Sequence, residues 1–382
     1  MKSKRILVLT DHMPWGHRSI AKAIYGNLED KAKGVKVELK YAEVRAETGI
    51  GGDAYVLLYR YLPKAHRLVY KFSSTKISRL VVKDVADRNV WRLKKLVNQY
   101  KPDLIISAYF LHSQSLQRWR ETEGKDFKLW TVVADPWTSY QAAIVEGADL
   151  HLVYDEVGVK KALDFGIEKD KVLATGWWTR KEMFEKKNMR QKMRKSLGFD
   201  DERPVIFVGG GSLGTNSLAK FLPVLLLSRR KIGVIFNTGK DKVAFKMVKE
   251  YMRLLARLKK KDKVLIKNLG WIENMAEILS AVDIVFGKAG PNFMFDVVAA
   301  EKPFVAITHI GGQEDGNLEI IKKKKLGWVK EKNTSLLRFF RLYLKRPSYF
   351  HKKYEMSIHA EAIKNKGSGE LVWKRVKKDL GI

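Results

Sequence analysis

A repeating alternation constrains this chain more than any other feature. Short apolar, β-branched runs recur along it, each separated from the next by a stretch of helical length. The first group is RILVLT (5–10), VKVELK (35–40), DLIISA (103–108), KLWTVVA (128–134), DLHLVY (149–154) and KVLA (171–174). After a charged stretch around 181–195 come PVIFV (204–208), IGVIFN (232–237), KVLIK (263–267), DIVF (283–286) and PFVAI (303–307). Strands apolar at nearly every position need cover on both faces, which is the condition of a parallel sheet wound with helices. Six strands, a polar break and five more predict an α/β chain of two doubly wound, Rossmann-like halves. The expected boundaries are a first domain at 1–178, a linker at 179–200, a second domain at 201–348 and closing helices at 349–382. The last of these, GELVWKRVKKDL, is amphipathic and is expected to cross back to the first half.

A length of 382 residues suits two domains. No cysteine is present, which excludes disulfide frameworks, thiolate metal centres and cysteine nucleophiles. The longest clean apolar stretch, about 221–227, falls far short of the roughly 20 residues that span a bilayer. The opening MKSKRILVLTDH reads as a buried strand and not as a secretion signal. The expectation is therefore a cytoplasmic protein. Lys and Arg number 74 against 42 Asp and Glu, a formal charge of +32. A field of that sign favours an anionic partner such as a membrane surface, a nucleic acid or a phosphorylated small molecule. The segment from Ala54 to Lys95 interleaves basic residues, Arg67 and Lys71 among them, with the aromatics Tyr55, Tyr59, Tyr61, Tyr70, Phe72 and Trp91, a pattern suited to an anionic membrane surface. Stacking on bases would use the same aromatics.

In doubly wound sheets ligands bind beyond the carboxyl ends of the strands, so the loops there carry the chemistry. GGGSLGT (209–215) opens a helix directly after PVIFV, and its Gly209, Gly211 and Gly214 fit G-x-G-x-x-G, a loop whose backbone N–H groups can meet a phosphate. The alternative is a plain tight turn. A dinucleotide site would add an acid at the end of the next strand, and Phe236-Asn237-Thr238-Gly239 has none. GKAGPNFMFD (287–296) supplies Ala289, Gly290 and Pro291 at another helix start. Its Asp296 suits either a ribose diol or the helix dipole. GGQEDGN (311–317) gathers Gln313, Glu314, Asp315 and Asn317, groups that bind vicinal hydroxyls or cap a helix. No D-x-D pair occurs, so no metal-bound diphosphate and no metal or other cofactor is expected. In DHMPWGHRS (11–19), His17 is a candidate general base, with His12 as a near competitor and Asp135 as a group to orient the ring.

Together these loops resemble the nucleotide-sugar glycosyltransferases of GT-B fold, specifically the glycosyltransferase 28 group. That group includes MurG, monogalactosyldiacylglycerol synthase and diacylglycerol glucosyltransferase. GWIENMAEILSAVDIVFGKAGPNFMFDVVAAEKPFVAI followed by GGQEDGN is similar to the galactolipid-synthase pattern, as are WGHRS and WTVVAD. The resemblance implies two domains facing an interdomain cleft and a UDP-sugar donor. It implies that His17 deprotonates the acceptor and that Gly210, Gly211 and Ser212 hold the diphosphate. Trp271, Ile272 and Met275 would frame the uracil, Asp296 the ribose, and Gln313 with Glu314 the hexose. The implied reaction carries glucose or galactose to a lipid, diacylglycerol, with inversion, at the cytoplasmic face of a membrane.

Four sequence departures bear on this, one being Asp296, a methylene shorter than the family's usual Glu. Pro14-Trp15 replaces two of the family's glycines, Asn292-Phe293 replaces a small pair, and Gly176-Trp177-Trp178 stands where a proline is usual. The rival readings are a MurG-like transfer of N-acetylglucosamine to a polyprenyl-diphosphate sugar, and a nucleic-acid-binding protein on a degenerate GT-B scaffold. No specific nucleic-acid signature is present.

Overall fold

A computed structural model describes residues 3–12, 16–43, 76–139, 141–185, 189–199, 202–209, 215–226, 228, 230–260 and 262–382. These form two compact units. The first comprises Met1–Lys181, Gly311–Gln313 and Lys364–Ile382, the second Glu182–Ile310 and Glu314–Ile363.

In the first unit six strands, β1 (Arg5–Thr10), β2 (Lys36–Tyr41), β3 (Leu104–Ser107), β4 (Lys128–Val132), β5 (Leu150–Val153) and β6 (Val172–Ala174), lie in the order β2-β1-β3-β4-β5-β6. Every pairing is parallel. Helices α1 (Gly16–Glu29), α2 (Lys76–Tyr100), α3 (Phe110–Glu123) and α4 (Glu156–Asp164) make the crossovers. Helix α1 forms because Ile20, Ala21, Ala23, Ile24 and Leu28 recur at helical spacing and bury together. Helix α4 starts where the Asp155 side chain accepts from the N–H groups of Val157 and Gly158, satisfying two donors of its first turn.

The second unit repeats the plan. Short helices α5 (Glu182–Glu185) and α6 (Arg190–Ser196) lead to β7 (Val205–Gly209), α7 (Thr215–Leu226), β8 (Ile232–Asn237), α8 (Lys242–Arg257) and β9 (Val264–Leu269). Then follow α9 (Met275–Ser280), β10 (Ile284–Lys288), α10 (Pro291–Ala299), β11 (Phe304–Thr308), α11 (Asp315–Lys323) and β12 (Gly327–Val329). The sheet order is β12-β11-β10-β7-β8-β9, again parallel throughout. Its core joins Val208, Phe221, Phe236, Phe286, Val305, Phe340 and Tyr343.

The eleven strand signals all fold as strands. The twelfth, β12, went unread because it begins with glycine and follows a run of lysines. The stretch expected as a linker is partly built into the second unit. Buried Arg194 of α6 pairs with Asp283 Oδ2 at 2.6 Å, and the same oxygen accepts the Val205 N–H at 2.7 Å. Burial raises the Asp283 pKa, but Arg194 and Arg190 outweigh it and hold the carboxyl below its ordinary value.

After α12 (Asn333–Lys345), α13 (Pro347–Lys352) and α14 (Glu355–Lys366), the terminal helix α15 (Ser368–Leu380) packs on α1 in the first unit. There Val372, Trp373, Val376 and Leu380 are buried and Lys31 pairs with Glu370. Among the described residues no helix is long and apolar enough to cross a membrane.

Candidate active site

An open parallel sheet has a crevice where the strand order reverses. Here one reversal falls between β1 and β3 and the other between β7 and β10. His17 follows the first of these points, and the KAGP motif follows the second; Asp135 lies past β4 and Trp271 past β9, away from both.

In the first unit His17 stands in the opening turn of α1, and its Nδ1 lies 2.9 Å from the Ala108 carbonyl just past β3. A carbonyl only accepts, so Nδ1 carries the proton and the lone pair of the neutral ring is on Nε2. Tyr109 packs edge-on at 5.0 Å. Burial pushes the His17 pKa down to about 4, only partly offset by the Ala108 hydrogen bond, so the ring is neutral at pH 7.

Orientation of this ring was expected from Asp135, and that assignment is corrected. Asp135 follows β4, two strands from β1 in the sheet order. The nearer Ala108 carbonyl takes the role, while Asp135 Oδ1 accepts from Gln313 Nε2 at 3.2 Å. His12 is exposed, with its ring 5.7 Å from Tyr41. The sequence reading passed over Asp11, which is buried with one carboxylate oxygen lacking a hydrogen bond. Burial raises its pKa to about 6. Its position directly after β1 was the available signal.

At the second reversal β7 and β10 approach so closely that only glycine fits. A Cβ on Gly287 would run into the Gly209 carbonyl oxygen and sit 2.8 Å from Phe293 Cε1. The register of β10 against β11 then shifts between Gly287 and Lys288. Lys288 is buried, and its Nζ pairs with Glu314 Oε1, while Glu314 Oε2 accepts the Ile310 N–H at 2.7 Å. Asn317 Nδ2 donates to the Ala289 carbonyl at 2.8 Å. The KAGP and GGQEDGN motifs are thus fastened to each other through Lys288–Glu314 and Ala289–Asn317. Both oxygens of Glu314, expected to meet a hexose, are engaged in holding this turn. Lys288 was missed because a lysine at a strand end ordinarily reads as solvated.

Gly312, at φ +90°, supplies the left-handed residue that the turn needs. Gly290 precedes Pro291, the first residue of α10, and Asp296 is half-buried farther along the same helix. Phe293 lies 5.9 Å from the rings of both Phe207 and Phe304, so its bulk goes into packing beneath α10. Trp271, just past β9, is largely exposed with Lys240 Nζ 5.3 Å from its ring, and Ile272 and Met275 are half-buried nearby in sequence. Gly210, Gly211 and Ser212 lie outside the described residues, as do Tyr55, Tyr59, Tyr61, Arg67, Tyr70 and Lys71. Among the described residues no three His, Asp or Glu side chains come together as metal ligands.

Two parallel six-stranded sheets with flanking helices, one after the other in the chain, are the architecture of the GT-B class. Solved structures share that architecture. A glycosyltransferase from Rickettsia africae is similar with a TM-score of 0.62 at 15% identity, over 100% of this chain and 99% of its own. MurG of Acinetobacter baumannii gives 0.60 at 12%, over 99% and 100%. The monogalactosyldiacylglycerol (MGDG) synthase model matches residues 17–177, and the glycosyltransferase family 28 C-terminal domain model matches residues 205–339. A processive diacylglycerol β-glucosyltransferase of Bacillus licheniformis is 22% identical over 88% of this chain and 85% of its own length. A probable chloroplastic monogalactosyldiacylglycerol synthase of Nicotiana tabacum is 24% identical over 85% of this chain, which spans 61% of that relative. The chain belongs to the GT-B glycosyltransferases of the family 28 group and is a hexosyltransferase.

Proposed function

We propose that this enzyme transfers a glucose or galactose from a UDP-sugar to the free hydroxyl of diacylglycerol, inverting the anomeric centre, at the cytoplasmic face of an anionic membrane. The observation that carries the reading is the state of His17, a neutral ring whose Nδ1–H is bonded to Ala108 and whose Nε2 is basic. Such a group accepts the acceptor's proton as its oxygen attacks the anomeric carbon. The C–O bond to the diphosphate breaks on the opposite face, and charge developing on UDP is met by backbone N–H groups at the starts of α7 and α10. In this reading Gly210, Gly211 and Ser212 hold the diphosphate, and Ala289, Gly290 and Pro291 shape the start of α10. Asp296 binds the ribose, and Trp271, Ile272 and Met275 border the uracil. Gln313 meets the hexose, while Glu314, Lys288 and Asn317 fix the turn beneath it. No metal takes part. Diacylglycerol as acceptor is supported by the names of the Bacillus and Nicotiana relatives. The donor is supported by an Anabaena structure of the same fold solved with UDP and glucose.

The test supplies radiolabelled UDP-glucose or UDP-galactose with anionic diacylglycerol liposomes, and polyprenyl-diphosphate acceptors in parallel. Transfer to diacylglycerol, falling at least a hundredfold in His17→Ala, is the expected result. Transfer only to the polyprenyl acceptor, or to no lipid, rejects the proposal.

A further inference from the structure

His309, directly after β11, is held from both sides. Its Nδ1 lies 2.6 Å from Glu331 Oε1, two residues past β12, and its Nε2 lies 2.9 Å from Asp315 Oδ1, the first residue of α11. Carboxylates only accept, so this geometry is that of an imidazolium with a proton on each nitrogen. Burial alone would lower the pKa of the ring, but Glu331 and Asp315 outweigh it and raise it above the ordinary histidine value. Lys220 of α7 also faces this corner, its Nζ donating to the carbonyls of Ile307, at 2.8 Å, and Glu331, and the Glu314 carboxylate, paired with Lys288, accepts the N–H of the neighbouring Ile310.

The consequence lies in what the ring encloses. The His309–Asp315 bond closes the segment between them, which is the turn bearing Gln313, Glu314 and the left-handed Gly312. Glu331 ties that closed loop to the end of the sheet. Ser217 and Thr308 hydroxyls, 2.5 Å apart, and Lys220 extend the tie to α7, the helix that follows the glycine-rich loop. Loss of the ring proton leaves one nitrogen lone pair facing a carboxylate, so one of the two bonds must open. We infer that protonated His309 is a positioning residue that locks this turn in the shape presenting Gln313 to the donor's hexose, so that recognition of the sugar, and not of the nucleotide, weakens when the proton leaves. The inference rests on the UDP-sugar reading above.

Calorimetric titration of the full chain with UDP, UDP-glucose and UDP-galactose from pH 6.5 to 8.5 tests it, comparing wild type with His309→Gln and Glu331→Gln at each pH. That comparison cancels the nucleotide's own ionisation. The expected result is a wild-type Kd for the preferred UDP-hexose that rises at least fivefold across the range. His309→Gln should start at the weak level and stay flat, and Glu331→Gln should shift the loss to lower pH. UDP itself should bind all three proteins within twofold. Wild-type affinity and pH dependence in His309→Gln would overturn the inference, as would an equal loss for UDP and UDP-hexose, the mark of a purely structural role. Wild type binding UDP but neither UDP-hexose at any pH would instead reject the donor reading, and this inference with it.

Discussion

Lys288 and Glu314 form a pair with almost no access to water, and that burial makes the pair costly to break. Removing one partner strands the other charge in the interior, at a cost of about 3–5 kcal/mol. Lys288→Met should therefore destabilise the second unit by that order in urea unfolding. Lys288→Met combined with Glu314→Gln should recover part of the loss, because the stranded carboxylate is gone. Strict additivity of the two single changes would refute the pairing. His17 leads to a prediction of a different kind. A histidine of ordinary pKa would lose basic form below pH 6.5, but burial has moved this ring down to about 4. Turnover should accordingly stay level from pH 7 to about 5.5, with the acid limb of kcat/KM nearer 4. A limb centred at 6.5 would show that the ring titrates as if solvated.

At the order reversal of the second sheet, β7 and β10 depend on a missing side chain. Gly287→Ala drives a methyl into the Gly209 backbone and the Phe293 ring, and neither can yield without moving a strand or α10. The expected cost is about 1–3 kcal/mol, with weaker UDP binding because the two loops flanking the crevice separate. An unchanged melting temperature and UDP affinity would show that the strands slide apart without penalty. The same elements explain which parts of the site were legible. Gly-rich and Gly-Pro punctuation after apolar runs is a local signal, and it marked GKAGP and GGQEDGN as loops at strand ends. What those loops do to each other is not local: Lys288 and Glu314 are 26 residues apart in the chain, and both are buried only where the folded strands bring them together. Three-residue β12 was silent for a related reason, since its pairing with β11 comes from the neighbouring strand and not from its own propensity.

The chain leaves its first unit at Lys181, rejoins it briefly at Gly311–Gln313 and returns for good at Lys364, so the last helix is part of a fold begun at the other terminus. Asn365 Oδ1 accepts the buried Trp177 N–H at 2.8 Å, and α15 covers α1 with four apolar side chains worth about 1.5–3 kcal/mol each. Truncation after residue 366 should lower the melting transition of the first unit and spare that of the second, giving two resolved steps in calorimetry. A single unshifted transition would show that α15 contributes nothing to the first unit. By itself the sequence determined the α/β class, eleven of the strands and the loops where chemistry gathers, because periodic burial and turn residues act over a few positions. Only the tertiary structure decided that Ala108 rather than Asp135 orients His17, that Glu314 is locked by Lys288, and that His309 sits between two carboxylates. Each of those outcomes depends on which strands lie side by side and how deeply a charge is buried, and strand order and burial arise only when distant segments pack.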